Sequence, residues 1–331
     1  MKTSTTLKIV RLAVSAGLIV FLLVKLNVYE IASHLKGLAL VPLILAACMD
    51  MLMIAVQAWR WDVLLRARGI SIRFTKLVYY YLVSIFFSAF LPTSVGGDFA
   101  RIVAVSGATR QRADAVASIV VERILGFFVL LPVSLAAIPL VSDQLKEWKL
   151  VLAAEIVGVV VVLGFLVLLV RPVARVFSRI LDPLLRLFRK FRARERLERV
   201  YSSVVLYKGS RRALLGALAL SVVSRVLWVY ACYLIARAFP LPPSLGLAAL
   251  FVVVPIVELV RMIPVSISGV GLREAAFAVM LKQFGVEYSL GVSFGIVVYV
   301  IFFLFALAGG VFYGLGSLRR TGAAGPTDVA P

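Results

Sequence analysis

Two short segments of the chain carry the same residues for turning a helix and for binding an anion. Residues 91–101 read LPTSVGGDFAR, and residues 263–273 read IPVSISGVGLR. At an offset of 172 residues, the identical pairs are Pro92 and Pro264, Ser94 and Ser266, Gly97 and Gly269, Arg101 and Arg273, and Ala104 and Ala276. Proline and glycine interrupt a helix, and the helix that restarts after them presents free backbone N–H groups and the positive end of its dipole.

These residue types indicate recognition of a phosphate or another anion. A helix N-terminus binds anions, and Arg101 and Arg273 would add planar guanidinium groups about one turn further on. Asp98 is either the N-cap of its own helix or a coupling or gating carboxylate. The alternative for both segments is structural, because proline, serine and glycine also allow a helix to turn within lipid.

Further charged side chains lie inside apolar stretches of the chain: Asp50, Glu122, Arg123, Arg225, Glu258, Arg261 and Glu274. Such residues are costly in a bilayer, so they should face the protein interior or a wet path, usually in pairs. The predicted substrate-binding residues are Arg101, Arg273, Ser94, Ser266, Gly97, Gly269, Asp98, Glu122, Arg123, Arg225, Glu258 and Arg261, with Pro92 and Pro264 at the turns. Whether they contact a substrate or only neutralise one another stays open.

The elements that position these residues are predicted to be membrane helices. Of the 331 residues, 62% are hydrophobic and 16% are charged, against about 45–50% and 25% in soluble domains. Apolar runs fall near 8–26, 38–59, 77–91, 115–141, 150–170, 214–237, 247–263 and 290–316. Several reach roughly 20 residues, the length that spans a bilayer. The composition therefore predicts an all-α polytopic integral membrane protein and excludes soluble, disordered and disulfide-rich classes.

The basic residues predict the orientation of the chain. The net charge is +20, and Lys and Arg concentrate in a loop over 60–76 and in the segment 171–213, which the positive-inside rule assigns to the cytoplasm. Six full spans with both termini in the cytoplasm satisfy this pattern. The two short runs then become re-entrant half-helix hairpins, 77–112 and 247–288, which enter from opposite sides as an inverted-topology repeat.

The predicted organisation is one transmembrane domain over 1–316 and a short disordered cytoplasmic tail over 317–331. The segment 171–213 is either a basic amphipathic helix on the anionic inner leaflet or an ordinary positive-inside loop. Its charge does not indicate a nucleic-acid partner, since no soluble domain presents it. One histidine and two separated cysteines, Cys48 and Cys232, argue against a zinc site and histidine-based catalysis, and no cofactor is expected.

Three stretches resemble a known family: LPTSVGGDFARIVAV, SIVVERILGFFVLL and VVVPIVELVRMIPVSISGVGLREAAF. They are similar to the flippase-like transmembrane domain of phosphatidylglycerol lysyltransferases, also called the lysylphosphatidylglycerol synthase transmembrane region, over residues 1–316. The resemblance implies movement of an anionic, aminoacylated or polyprenyl or glycosyl lipid between leaflets of a bacterial or archaeal inner membrane. The soluble synthase domain of that family has no counterpart in the tail GSLRRTGAAGPTDVAP, so synthase activity is not expected.

Two other functions stay open from the residues alone. A secondary transporter or channel for a small soluble anion could use the same half-helix geometry, and an integral-membrane lipid-modifying transferase is the third reading. No Walker motif is present, so ATP-driven transport would need a partner. The expected partners are membrane lipids, and the sequence leaves a homo-oligomer and a separate lipid-modifying enzyme open.

Overall fold

The computed structural model describes residues 33–90, 96–109, 111–144, 151–153, 156, 203–204, 206–242, 245–261 and 269–322. Within these residues the regular elements are helical. Eight long helices are labelled in chain order: α1 (Leu40–Arg66), α2 (Phe74–Phe90), α3 (Gly96–Thr109), α4 (Arg112–Ala137), α5 (Arg211–Ala238), α6 (Leu247–Arg261), α7 (Leu272–Lys282) and α8 (Tyr288–Gly322). The all-α prediction is confirmed.

Four of the helices are long and apolar enough to cross a membrane: Leu40–Arg66, Arg112–Leu140, Arg211–Ala238 and Tyr288–Leu315. They match four of the six predicted spans, and the other two, 8–26 and 150–170, lie outside the described residues or nearly so. Large apolar side chains on their surfaces are exposed, for example Leu40, Leu215 and Leu304. Exposed apolar faces of this extent fit a hydrocarbon environment. The chain is a multi-pass membrane protein.

The helix bounds repeat along the chain. Helices α1 to α4 start at residues 40, 74, 96 and 112, and α5 to α8 start at 211, 247, 272 and 288. The spacing stays close to the offset of 172 residues found in the sequence. Equivalent contacts also recur, because α2 packs against α8 and its equivalent α6 packs against α4. The internal repeat therefore covers four helices, which we call the first copy (α1–α4) and the second copy (α5–α8).

The two copies run in opposite directions. Helix α1 packs along its equivalent α5. Arg60 contacts Ser221, while Val63, further along α1, lies nearest Gly216, earlier on α5. The two helices are therefore antiparallel. In each of these contacts the two residue numbers add to about 280. Since equivalent residues of the two copies differ by 172, the α1 residue that packs against its own equivalent on α5 lies near Ile54. This position marks the axis that relates the copies.

In each copy a pair of shorter helices follows the first long one. Helices α2 and α3 pack together in the first copy, as do α6 and α7 in the second. The turns that join them, 91–95 and 262–268, lie outside the described residues. Pro92, Ser94, Pro264 and Ser266 fall within those turns. That both pairs enter the membrane and turn back stays a prediction.

Glycines with positive φ end two of the helices. Gly69 has φ 71° after α1, and Gly285 has φ 82° after α7. The amide of Ile70 donates to the carbonyl of Leu65, and the amide of Val286 donates to that of Leu281. These bonds satisfy carbonyls at the helix ends in a Schellman arrangement, where glycine adopts the left-handed conformation without strain.

Two boundaries differ from the sequence-based expectations. Helix α1 continues to Arg66, so Arg60 and Asp62 lie in the helix and are buried rather than in a loop over 60–76. The sequence misplaced them because charges usually mark the end of a span, and the buried partners of Arg60, which are Ser221 and Glu122, are remote in sequence. Helix α8 ends at Gly322, so the first residues of the predicted tail 317–331 are helical.

Candidate functional site

A single carboxylate, Glu122 on α4, joins all four helices of the first copy. The Nη2 of Arg60 on α1 donates to its Oε1 at 2.6 Å, and the Nη1 of Arg101 on α3 donates to its Oε2 at 2.8 Å. The hydroxyl of Tyr81 on α2 also donates to Oε1. All four side chains are buried. Hydrogen-bonded charges of this kind are among the stronger side-chain contacts in proteins.

Arg101 extends this arrangement to a second acid. Its Nη2 donates to Oδ1 of Asp98 at 2.6 Å, and Oδ2 of Asp98 accepts a hydrogen bond from the Nε of Arg123 at 2.9 Å. The Arg101 guanidinium lies 4.4 Å from the ring centroid of Tyr81 and 5.0 Å from that of Trp61, which adds cation–π attraction. We call Arg60, Asp98, Arg101, Glu122 and Arg123 the first cluster.

The second copy holds its charges in pairs along single helices. The Nη2 of Arg273 donates to Oε1 of Glu274 at 2.6 Å, both on α7. The other Glu274 oxygen accepts the backbone N–H of Gly271 at 2.6 Å, which caps the start of α7. On α6, the Nη2 of Arg261 donates to Oε2 of Glu258 at 2.8 Å.

Arg225 lies near the middle of α5. It is within electrostatic range of Glu258 and Arg261 on α6 and of Arg60 on α1. Glu258 is in turn within range of Arg273. We call Arg225, Glu258, Arg261, Arg273 and Glu274 the second cluster. Among the described residues Arg225 forms no salt bridge, and its side chain is half-buried.

Both clusters carry the same excess of positive charge. Each contains three arginines and two carboxylates, which leaves one positive charge per cluster. The fully buried arginines, Arg101 and Arg273, are held by acids, whereas the side chains of Arg123 and Arg261 are 44% and 34% exposed. The guanidiniums of Arg123 and Arg261 therefore keep donors that an anion can reach.

The paired glycines allow each second helix to approach the first. A Cβ on Gly97 would collide with the backbone carbonyl of Ser84 and the hydroxyl of Ser88 on α2. Gly269 has φ 77°, and a Cβ there would lie 2.5 Å from Cγ of Arg261 on α6. Glycine is needed at the first position for close packing and at the second for both packing and conformation.

The structure brings together eight of the predicted site residues as charges within the two clusters, with both glycines beside them; all but Arg123 are buried or half-buried: Asp98, Arg101, Glu122, Arg123, Arg225, Glu258, Arg261 and Arg273. Ser94, Ser266, Pro92 and Pro264 lie outside the described residues. Asp98 binds two arginines through its side chain. Sequence reasoning missed Arg60, Tyr81 and Trp61, although the run Trp59-Arg60-Trp61-Asp62 near the end of an apolar stretch was a signal for a cation among aromatic rings.

Comparison with known proteins identifies the family. Residues 8–310 match the family described as the lysylphosphatidylglycerol synthase TM region. No curated protein matches the chain. The match covers both clusters and all of the repeat except the end of α8, and it agrees with the membrane helices described above. The chain belongs to the lysylphosphatidylglycerol synthase transmembrane-region family.

Proposed function

We propose that the protein moves a lipid with an anionic, phosphate-bearing headgroup between the two leaflets of the inner membrane. The family to which it belongs supports a lipid-related function in a membrane. The observation that carries the proposal is the excess positive charge of each cluster. Because an unneutralised charge at membrane depth is costly, an anionic headgroup completes the charge balance of one cluster and then of the other.

The geometry supports a path with three steps. Arg123 is partly exposed in the first cluster and Arg261 is partly exposed in the second. Arg225, near the axis that relates the copies, is within electrostatic range of charges in both clusters. A phosphate that leaves water loses its hydration, and guanidinium groups replace part of that shell through paired hydrogen bonds. Arg101 and Arg273, which are already held by acids, position the helices around the path.

Orientation is part of the proposal. The distribution of basic segments supports a topology with both termini in the cytoplasm, in which the α2–α3 pair enters from that side and the α6–α7 pair enters from the opposite side. We expect Arg194→Cys to be labelled by a membrane-impermeant thiol reagent only from the cytoplasm and Ser244→Cys only from outside. Labelling of both from one side would contradict the inverted arrangement in the membrane.

Reconstitution into vesicles tests transport. Vesicles carry a trace of phosphatidylglycerol with a fluorophore on its headgroup side, and a reductant added outside bleaches the outer leaflet. We expect the protein to make the inner pool bleachable. Arg225→Gln should slow this step at least about tenfold, because a hydrogen bond to a charged group contributes about 1.5–3 kcal/mol and 1.4 kcal/mol corresponds to a factor of ten.

Arg237→Gln is the matched control, since Arg237 lies on the same helix but is exposed at its end. It should bleach at the wild-type rate. Uptake of radiolabelled inorganic phosphate into the same vesicles separates a lipid from a small soluble anion. Phosphate uptake with no movement of the labelled lipid would mean that the substrate is a soluble anion and not a lipid. An inner pool of labelled lipid that is as protected from bleaching as in protein-free vesicles would contradict the proposal.

A further inference from the structure

Asp50 differs from every other carboxylate in the eight described helices because it lacks a basic partner. The six other acids each pair with an arginine: Asp62 with Arg66, Asp98 with Arg101, Asp114 with Arg68, Glu122 with Arg60, Glu258 with Arg261 and Glu274 with Arg273. The side chain of Asp50 is buried, with 4% of the residue exposed. Its Oδ1 has no hydrogen-bond partner.

The position of Asp50 makes an ionised carboxylate costly. It lies on α1 one turn from Ile54, where the two antiparallel copies are related, and near the middle of a helix long enough to cross a membrane. A charge near the centre of a bilayer is costly unless it is paired. A proton removes that charge, so the neutral carboxyl is the form that these surroundings favour.

No basic group in the described part of the chain acts electrostatically on Asp50, whose surroundings change its ionisation through burial alone. On α5, Cys232 is within electrostatic range of Asp50 and also of Glu258, Arg225 and Arg273. The ionisable groups of α2 and α4 nearest α1, Tyr81 and Glu122, gather around Arg60, which is ten residues or about 15 Å further along α1. Among the described residues no group of three potential metal ligands occurs. The ligand that suits this carboxylate is a single proton.

We infer that Asp50 is a proton-binding site whose loading and release couple lipid movement to a pH difference across the membrane. The inference rests on the proposed function. Asp50 lies at the contact between α1 and α5, so a rearrangement of one copy against the other changes what covers it. In one arrangement the carboxyl takes a proton from one side, and in the other it releases that proton to the opposite side.

The test uses the full-length protein in vesicles with an imposed pH difference. The rate of movement of labelled phosphatidylglycerol is measured with the inside acidic and with the inside alkaline, while a pH-sensitive dye inside reports proton flow. The wild type should give different rates in the two directions, with proton flow that depends on lipid. In Asp50→Asn, which mimics the neutral carboxyl, the ratio of the two rates should fall to one and lipid-dependent proton flow should vanish.

Asp62→Asn is the matched control, because Asp62 is a buried aspartate on the same helix but pairs with Arg66 at 2.7 Å. It should keep the wild-type ratio. If lipid movement by the wild type is independent of the pH difference, or if Asp50→Asn keeps the wild-type ratio of the two rates, the coupling alone is overturned. Absence of lipid movement in the wild type would overturn the proposed function and the coupling together.

Infrared difference spectra give a readout that does not depend on transport. Proton binding at Asp50 predicts a protonated-carboxyl band that changes with pH in the wild type and in Asp62→Asn and is missing in Asp50→Asn. A spectrum in which Asp50→Asn keeps that band would overturn the assignment of the proton to Asp50.

Discussion

The two copies of the repeat place an arginine at the same position but hold it in different ways. In the first copy, Arg101 bonds to Glu122 on another helix, and Glu122 also binds Arg60 and Tyr81, so one carboxylate joins α1, α2, α3 and α4. In the second copy, Arg273 bonds to its neighbour Glu274 on the same helix. The first copy is therefore cross-linked between helices, whereas the salt bridges of the second lie within helices.

This difference indicates which part of the molecule can move. Separating α2 or α3 from α4 requires breaking buried, charge-assisted bonds. Moving α7 against α6 or α8 keeps the Arg273–Glu274 pair intact, and the contact of Arg273 with α8 is the face of the Tyr299 ring at 4.5 Å. The proposed lipid movement needs a rigid part and a part that rearranges against it. We expect the first copy to be the rigid part and the α6–α7 pair to move.

The largest effect should come from the acid at the centre of the first copy. Glu122→Gln leaves Arg60 and Arg101 without their shared carboxylate. Removing one partner of a buried pair costs about 3–5 kcal/mol. We expect a clear fall in the thermal unfolding midpoint. The midpoint is measured by size-exclusion chromatography of the protein after heating in mild detergent. Glu274→Gln should cause a smaller fall, because it affects one helix, and equal falls in the two variants would refute the contrast between the copies.

A smaller effect is expected when the equivalent arginines are replaced by lysine. Lysine keeps the charge but cannot span two acids with a planar fork. Arg101 bridges Asp98 and Glu122, whereas Arg273, among the described residues, forms a salt bridge with Glu274 alone. Arg101→Lys should therefore lower the free energy of unfolding by about 1.5–3 kcal/mol, and Arg273→Lys should lower it by less. The same heating assay measures both. A greater loss in Arg273→Lys would show that the second copy is the more tightly held.

The smallest effect is expected from replacing the tyrosines that lie beside these arginines, Tyr81 and Tyr299. Tyr81 donates its hydroxyl to Glu122, whereas Tyr299 offers the face of its ring to Arg273. Tyr81→Phe should therefore lose about 1 kcal/mol or more, since a buried acceptor loses a donor. Tyr299→Phe keeps the ring and should leave the unfolding midpoint close to that of the wild type. Matching shifts in both variants would mean that the hydroxyl of Tyr81 adds little.

The sequence predicted the repeat because it leaves a local record in proline, glycine and arginine at a constant offset. The same offset relates the bounds of four helices in each copy, although only the turns look alike in sequence. The partners in the first cluster were beyond prediction. Arg60, Tyr81 and Glu122 are separated by 21 to 62 residues, and nothing local indicates that their helices meet.

Asp50 and Arg225 show a related limit. Both were recognised as charges in apolar stretches, but the absence of an ion pair at either residue depends on how α1, α5 and α6 pack. Residues three apart on one helix could be paired from their spacing alone, as with Glu258 and Arg261 or Asp98 and Arg101. The contacts that Glu122 makes with three other helices could not.

The most direct test of the account is the composition of the lipid that stays bound to the purified protein. Excess positive charge in both clusters predicts that anionic phospholipid, identified by mass spectrometry after extraction in mild detergent, is enriched over its share of the membrane. The enrichment should be lost in Arg225→Gln and kept in Arg237→Gln. Bound lipid with the composition of the surrounding membrane in all three proteins would contradict the claim that these arginines bind an anionic headgroup.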